Sequence, residues 1–393
     1  MLRSMYSGIS GMKNFQTKLD VIGNNIANVN TFGYKKGRVT FKDTMNQTIA
    51  GASAAQANRG GTNPVQVGLG STLATIDTVH TGSSLQTTGR SLDLGIDGDG
   101  YFIVRQGENQ LYSRAGNFYL DNEGTLVNGD GLKVQAYDNG VLRDITVNVN
   151  AILPAKITNR IELAGNLPAA ANGSNPATQQ IKVVDATGTA QVVDAQFALN
   201  TTTSQWEVTF TNRNFNPARS SAAQPINFAN LADVNPFDIP IGPAATDNQA
   251  VTLSLTNLTN TGDSITAMAN PDGNTAGNLE SFNIGPSGEV NGIYSNGEIR
   301  DLGTLALAKF SNTSGLTKAA NNLFQETVNS GVANINTPGN GRGSIKSGSL
   351  EMSNVDLSEE FTEMITAQRG FQANTRIITT SDEILQELVN LKR

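Results

Sequence analysis

The two ends of this 393-residue chain limit its fold most, because each reads as an amphipathic helix that lacks a partner. From the N-terminus, Leu2, Met5, Ile9, Met12, Phe15, Leu19, Ile22 and Ile26 recur at steps of three and four. That spacing places them on one face of a helix. Gly8, Gly11 and Gly23 interrupt it, each costing about 1 kcal/mol relative to alanine. Such a helix is marginal alone and needs a surface to cover its stripe. At the other end, Leu357, Phe361, Met364, Gln368, Phe371, Thr375, Ile378, Asp382, Leu385 and Val389 form a heptad seam, broadened by Ile365, Ile377, Ile384 and Leu388. This is the pattern of a long helix of coiled-coil character. Asn354 or Ser358 is placed to cap it, and Ser381 followed by two acids marks a candidate restart or kink.

Charge favours pairing of these ends. Residues 1–42 carry net +6 and residues 349–393 net −4. Opposite signs draw two stripes together, although each exposed pair contributes little.

The middle reads as strands. Tyr101–Val104 is an apolar run, Asn117–Val141 alternates short apolar segments with Asn/Asp/Gly turns, and Val251–Leu258 alternates strictly. Thr304–Phe310 is a further strand pattern. Linkers at Asn166–Thr178 and Ala269–Asn278 bracket a self-contained strand set, which predicts a domain inserted into a domain. The expected fold is mainly β with helical termini. An inner helical domain comprises residues 1–30 and 355–393, and a connector comprises 31–75 and 340–354. A β-rich middle domain takes in 76–165 and 279–339, with an inserted β-rich outer domain at 166–278.

Several chemistries are disfavoured. The absence of cysteine removes disulfides, thiolate metal sites and thiol catalysis. One histidine, His80, leaves no triad and no two-histidine metal site, and it reads as a turn or surface residue. Gly95–Phe102 lacks the acids of a calcium loop and reads as turns before a strand. Glu359, Glu360 and Glu363 read as the acidic first turns of a helix. No cofactor, metal or catalytic residue is expected. A net charge of −7 argues against nucleic acid as the main partner. No apolar run has the length of a membrane span or a cleaved signal.

The stretch NNIANVNTFGYKK (Asn24–Lys36) resembles the N-terminal signature of the axial proteins of the bacterial flagellum, the rod and hook subunits. Ser349–Arg393 resembles their C-terminal signature, and TTGRSLDLGIDGDGYFIV and YSRAGNFYLDNEGTLVN resemble their shared β-domain. RIELAGNLPA, SQWEVTF and GEVNGIYSNGEIRDLGTLALAKFSNTSGL resemble hook subunits in particular, and the likeness is weakest across Arg213–Ala250. The resemblance implies a structural subunit that polymerises into a tube through its paired ends, a flexible universal joint passing torque from rod to filament. The implied partners are further copies of itself, a distal rod protein, a hook–filament junction protein, a hook cap and a length ruler. Export would proceed uncleaved through the flagellar type III apparatus to an extracellular location. A distal rod or other axial subunit is the alternative, and a secreted β-rich adhesin or enzyme a third.

Within the signature, Asn28, Asn30, Thr31, Gly33 and Tyr34 read as a connector between the inner helix and the outer domains. Asn and Gly tolerate turn conformations. Lys35 and Lys36 place positive charge where the acidic C-terminal helix of the same or a neighbouring copy can meet it. Phe41 and Met45 resemble an export-gate motif of such substrates, with an ordinary buried pair as the equal alternative.

Overall fold

The computed structural model describes residues 2–391 apart from 55–58, 139, 149–150, 169–175, 216, 229–233, 242–246 and 262–263. The Asn166–Thr178 linker therefore falls largely outside the described residues. The chain forms two compact units, each considered by itself. The first comprises Met1–Val147, Asn283–Asn291 and Asp301–Arg393, and the second Asn148–Phe282 and Gly292–Arg300.

In the first unit, helix α1 (Leu2–Ala27) packs along helix α2 (Leu357–Leu391), as the complementary ends predict. Helix α2 is continuous through Ser381, whose hydroxyl donates to the Ile377 carbonyl, so the expected restart does not occur. Its cap is Asp356, whose carboxylate accepts from the Ser358 N–H at 2.8 Å, rather than Asn354 or Ser358. Asn354 is engaged elsewhere, as described below.

After α1 the chain enters an antiparallel ribbon: β1 (Gly37–Asp43), β2 (Asn46–Ala50), β3 (Val65–Gly68) and β4 (Ser71–Thr78). β1 pairs with β4 and β2 with β3. The root of the ribbon rests on α1, where the Asn14 amide donates to the Ser71 hydroxyl at 2.8 Å and the Phe15 and Phe41 rings lie 6.5 Å apart. Strand β5 (Leu85–Thr87) pairs with Ser349–Glu351, and β6 (Leu94–Asp97) with Ser344–Ser347. The chain entering α2 is thus stitched to the chain that left α1. Strands β7 (Tyr101–Gln106) and β8 (Asn109–Ser113) open a ten-stranded sheet. Its core gathers Tyr101, Ile103, Tyr112, Phe310 and Phe324. The expected meander is there, from Tyr119–Leu120 through Leu126–Val127 and Lys133–Asp138 to Val141–Asp144.

Among the described residues, the second unit is all-β. A five-stranded sheet built on Ala177–Val184, Ala190–Asn200 and Gln205–Asn212 and a four-stranded sheet built on Arg160–Asn166 and Asn248–Thr259 share one core. Strict alternation in Gln205–Asn212 buries Trp206, Val208 and Phe210, and the Trp206 ring N–H donates to the Pro168 carbonyl at 2.9 Å.

Candidate functional site

The contact between α1 and α2 inverts the usual logic of an amphipathic pair. Along α2, the buried or half-buried positions include Glu360, Met364, Ala367, Gly370, Asn374, Ile378, Ser381 and Leu385. Most are small or polar. The glycines that read as helix breakers are points of close approach. A Cβ on Gly11 would stand 2.8 Å from the Asn374 amide, and one on Gly370 would stand 2.6 Å from the Phe15 ring. Gly8 faces Ile378 and Ile377. Small residues let the helix backbones approach, which compensates for their low helix propensity. Polar contacts fix the register: the Thr375 hydroxyl donates to the Met12 sulfur at 3.3 Å, and Lys18 pairs with Glu363 at 3.1 Å.

On the N-terminal stripe, Ile22 is buried, Met5, Met12, Phe15, Leu19 and Ile26 are half-buried, and Ile9 is exposed. The Leu2 side chain lies outside the described residues. On the C-terminal stripe, Met364, Ile378 and Leu385 are half-buried, while Leu357, Phe361, Phe371 and Val389 are exposed. Leu357, Phe361 and Ile365, four residues apart, form one open apolar line, and Ile377, Ile384 and Leu391, seven apart, form another. The periodicity of the sequence locates the apolar residues but not their direction, because two or more stripes share one helix.

The joint between helix and sheet is held by a network of polar contacts. At the end of α1, the Asn25 side chain brackets the Gly37 backbone: its amide donates to the Gly37 carbonyl and its oxygen accepts the Gly37 N–H, both at 2.9 Å. The same amide reaches the buried Glu360 carboxylate at 3.1 Å. The Tyr34 hydroxyl donates to the Asn24 side chain at 2.8 Å, and Asn28 bonds Asn24 and Thr31. The Gly33 N–H donates to the Glu351 carbonyl at 2.8 Å. Gly33 has φ +70°, and a Cβ there would stand 2.5 Å from the Ala115 nitrogen, so only glycine fits. Lys36 meets the acidic first turn of α2 in its own chain, with Glu359 at 2.7 Å.

Lys35 does something the sequence does not announce. Its ammonium is fully buried and donates to the Glu351 carboxylate at 2.7 Å and to the Thr81 carbonyl at 2.8 Å. The Arg114 guanidinium takes the second Glu351 oxygen at 3.1 Å and donates to the Ile96 and Gly98 carbonyls. One carboxylate thus serves two cations, and carbonyls absorb the remaining positive charge. Asn354 accepts the Lys36 N–H and donates to the Val79 carbonyl, closing the same joint. Glu351 and Arg114 escape sequence reading because each is a single charge at the end of a short strand, Glu351 its last residue and Arg114 the residue just after. An acid flanked by Leu350 and Met352 is the one signal available.

Electrostatics follow burial. Burial pushes the Lys35 ammonium below its ordinary range, against the pull of Glu351. Burial raises the Tyr34 hydroxyl, with Glu360 adding to it. The Glu360 carboxyl is raised by burial and held back by Asn25 and Lys36. His80 is half-buried. Its Nδ1 lies 2.7 Å from the Tyr101 hydroxyl and its ring 5.3 Å from that of Phe324. Burial, with Lys35, Lys318 and Arg114 nearby, lowers its pKa to about 4.

Phe41 packs at α1 through Phe15, while Met45 is well exposed between β1 and β2. Among the described residues, no cluster of His, Cys, Asp and Glu is arranged to hold a metal ion, and no helix is long and apolar enough to cross a membrane.

Comparison with known proteins places three family matches along the chain. Residues 5–35 match the flagella basal body rod protein family, 95–166 the flagellar hook protein FlgE/F/G D1 domain, and 346–391 the flagellar basal body rod FlgEFG protein C-terminal domain. The first and last matches hold the two partners of the joint, Lys35 and Glu351. The flagellar hook protein FlgE of Borreliella burgdorferi is 40% identical over 442 aligned positions, covering 100% of both chains. The flagellar basal-body rod protein FlgG of Bacillus subtilis is 43% identical over 395, again covering 100% of both. The hook protein FlgE of Salmonella typhimurium is 34% identical over 425, covering 99% of this chain and 100% of the relative.

Proposed function

The chain belongs to the flagellar hook and basal-body rod protein family, and from that premise we propose that it is the repeating structural subunit of a flagellar hook. Copies assemble into a helical tube that acts as a flexible universal joint and passes motor torque from rod to filament. The observation that carries this reading is the exposed Leu357–Phe361–Ile365 line on a helix whose small and polar face is already used within the chain. A monomer gains nothing by exposing such lines, whereas a polymer buries them.

In this reading residues 1–30 and 355–393 form the tube wall, and 31–75 with 340–354 the connector. Residues 76–165 with 279–339 form the middle domain, and 166–278 an inserted β-rich domain. The subunit works by assembly, not by catalysis, and takes no cofactor. It leaves the cell through the flagellar type III apparatus, with Phe41 and Met45 as its gate contact. It then meets a distal rod protein at one end of the tube and a junction protein at the other. A cap and a length ruler govern its growth. Electron microscopy of a deletion strain tests this: complete rods without hooks are expected, and intact hooks overturn it. The 43% identity to a rod protein of nearly equal length favours a second reading, a distal rod subunit, for which the same strain would show truncated rods.

A further inference from the structure

Among the described residues, one side-chain amide of the N-terminal signature has no partner. Asn24, Asn25 and Asn28 are all bonded through their side chains as described. The Asn30 side chain is exposed and makes no such bond among the described residues. It stands at the rim of a cleft of about 430 Å³ that also presents Phe32, Asn117, Asn128, Asp130 and Asn321. That volume lies within the usual range for binding sites, about 300–1,000 Å³.

The lining defines what fits. The Asn117 side chain is uncommitted among the described residues, and Asn128 uses only its oxygen, which accepts the Asp130 and Leu132 N–H groups. Asp130 is the one charged residue in the lining, and one of its oxygens already takes the Asn321 amide at 2.9 Å. There is no cation to attract an anion, and one half-committed carboxylate attracts a cation weakly. A side-chain amide offers the same donor and acceptor as a peptide unit. The half-buried Phe32 ring supplies an apolar contact beside these groups. The cleft therefore suits an uncharged polypeptide segment presenting its backbone.

We propose that this cleft is a socket for a neutral backbone segment of a second copy, and that Asn30 is the amide of the signature that bonds between copies. The proposal rests on the subunit reading above. It also fits the chain's own composition, in which only 16% of residues are charged. A cleft filled by a different surface of the next copy is a head-to-tail contact, the type that yields an open helical polymer instead of a closed dimer.

The test uses the full chain, which lacks cysteine. Benzoylphenylalanine is placed at position 30, ¹⁵N-labelled and unlabelled copies are mixed, polymerised and irradiated, and the products are mapped by mass spectrometry. Mixed-label products joining position 30 to a neutral segment of another copy are expected. In parallel, Asn30→Ala should raise the critical concentration for assembly by about 2- to 10-fold, the value of one interfacial hydrogen bond, while the monomer melts as wild type. Polymers whose position-30 products all lie within one copy, or an Asn30→Ala chain that assembles as wild type, overturn the socket and leave the subunit reading standing. A wild-type chain that forms no polymer overturns both.

Discussion

The Lys35 ammonium lies 2.7 Å from the Glu351 carboxylate, with both side chains no more than 1% exposed. These residues come from opposite ends of the chain, so this buried contact ties the start of the ribbon to the strand that leads into α2. Its neighbours set the cost of breaking it. In Glu351→Gln, Lys35 and Arg114 become two buried cations without a counter-ion, a loss of about 3–5 kcal/mol. Arg143→Ala removes an exposed pair, with Asp138 at 3.1 Å, which costs at most about 1 kcal/mol. Urea denaturation of the two variants should separate them by that margin. Equal midpoints would mean that the buried pair is not the tie.

The glycines of the helical pair should divide by what faces them. A Cβ on Gly8 meets Ile378 at 3.4 Å, an ordinary contact, so Gly8→Ala should gain up to about 1 kcal/mol from helix propensity. At Gly370 the Phe15 ring occupies the space, so Gly370→Leu should force the helices apart. Limited proteolysis reads the difference: cleavage within α1 and α2 should slow in the first variant and quicken in the second. Similar cleavage in both would remove the close-approach role from Gly370.

These pairs also mark how far the sequence could be read. Helical ends, opposite charges and strand-rich interior were legible because each is a repeated pattern, and repetition survives local ambiguity. The joint was only half legible. Asn24–Lys36 stood out by composition, whereas Glu351 and Arg114 are single residues whose meaning comes from strands far apart in sequence. The glycines misled for a related reason: propensity counts the cost to one helix, and the gain belongs to two. His80 reads as a turn residue until Tyr101 and Phe324 close around it.

His80 provides a pH prediction with a definite sign. Its folded pKa of about 4 lies below the ordinary value of 6.5, so the unfolded chain takes up the proton first as pH falls. The contribution is therefore fully present above about pH 6.5 and is lost progressively as pH drops towards 4. After discounting for partial exposure of the ring, about 2 kcal/mol should disappear across that window. The chain has one histidine, so its NMR titration is a single curve. A midpoint near 4 is expected, and His80→Gln should flatten the stability slope between pH 6.5 and 4. A midpoint near 6.5 would show that the ring is solvated.

The exposed lines of α2 make the sharpest distinction between folding and assembly. Phe361→Ser alters a side chain that is 49% exposed in the single chain, so the monomer should lose no more than about 0.5 kcal/mol. In a polymer that covers this line, the same change deletes an aromatic contact and leaves a hydroxyl in an apolar seam, and assembly should fail. Ile384→Ser probes the second line in the same way. Ala367→Leu is the control from the opposite face: Ala367 is buried, so enlarging it should destabilise the monomer itself. Monomer melting temperature and polymer yield by sedimentation should therefore move independently across the three variants. If Phe361→Ser and Ile384→Ser both assemble like wild type, the exposed lines are not covered by other copies and the tube must be held by other surfaces. If only one of them blocks assembly, the two lines serve different contacts, and the competent line marks the helix face that stays open in the tube.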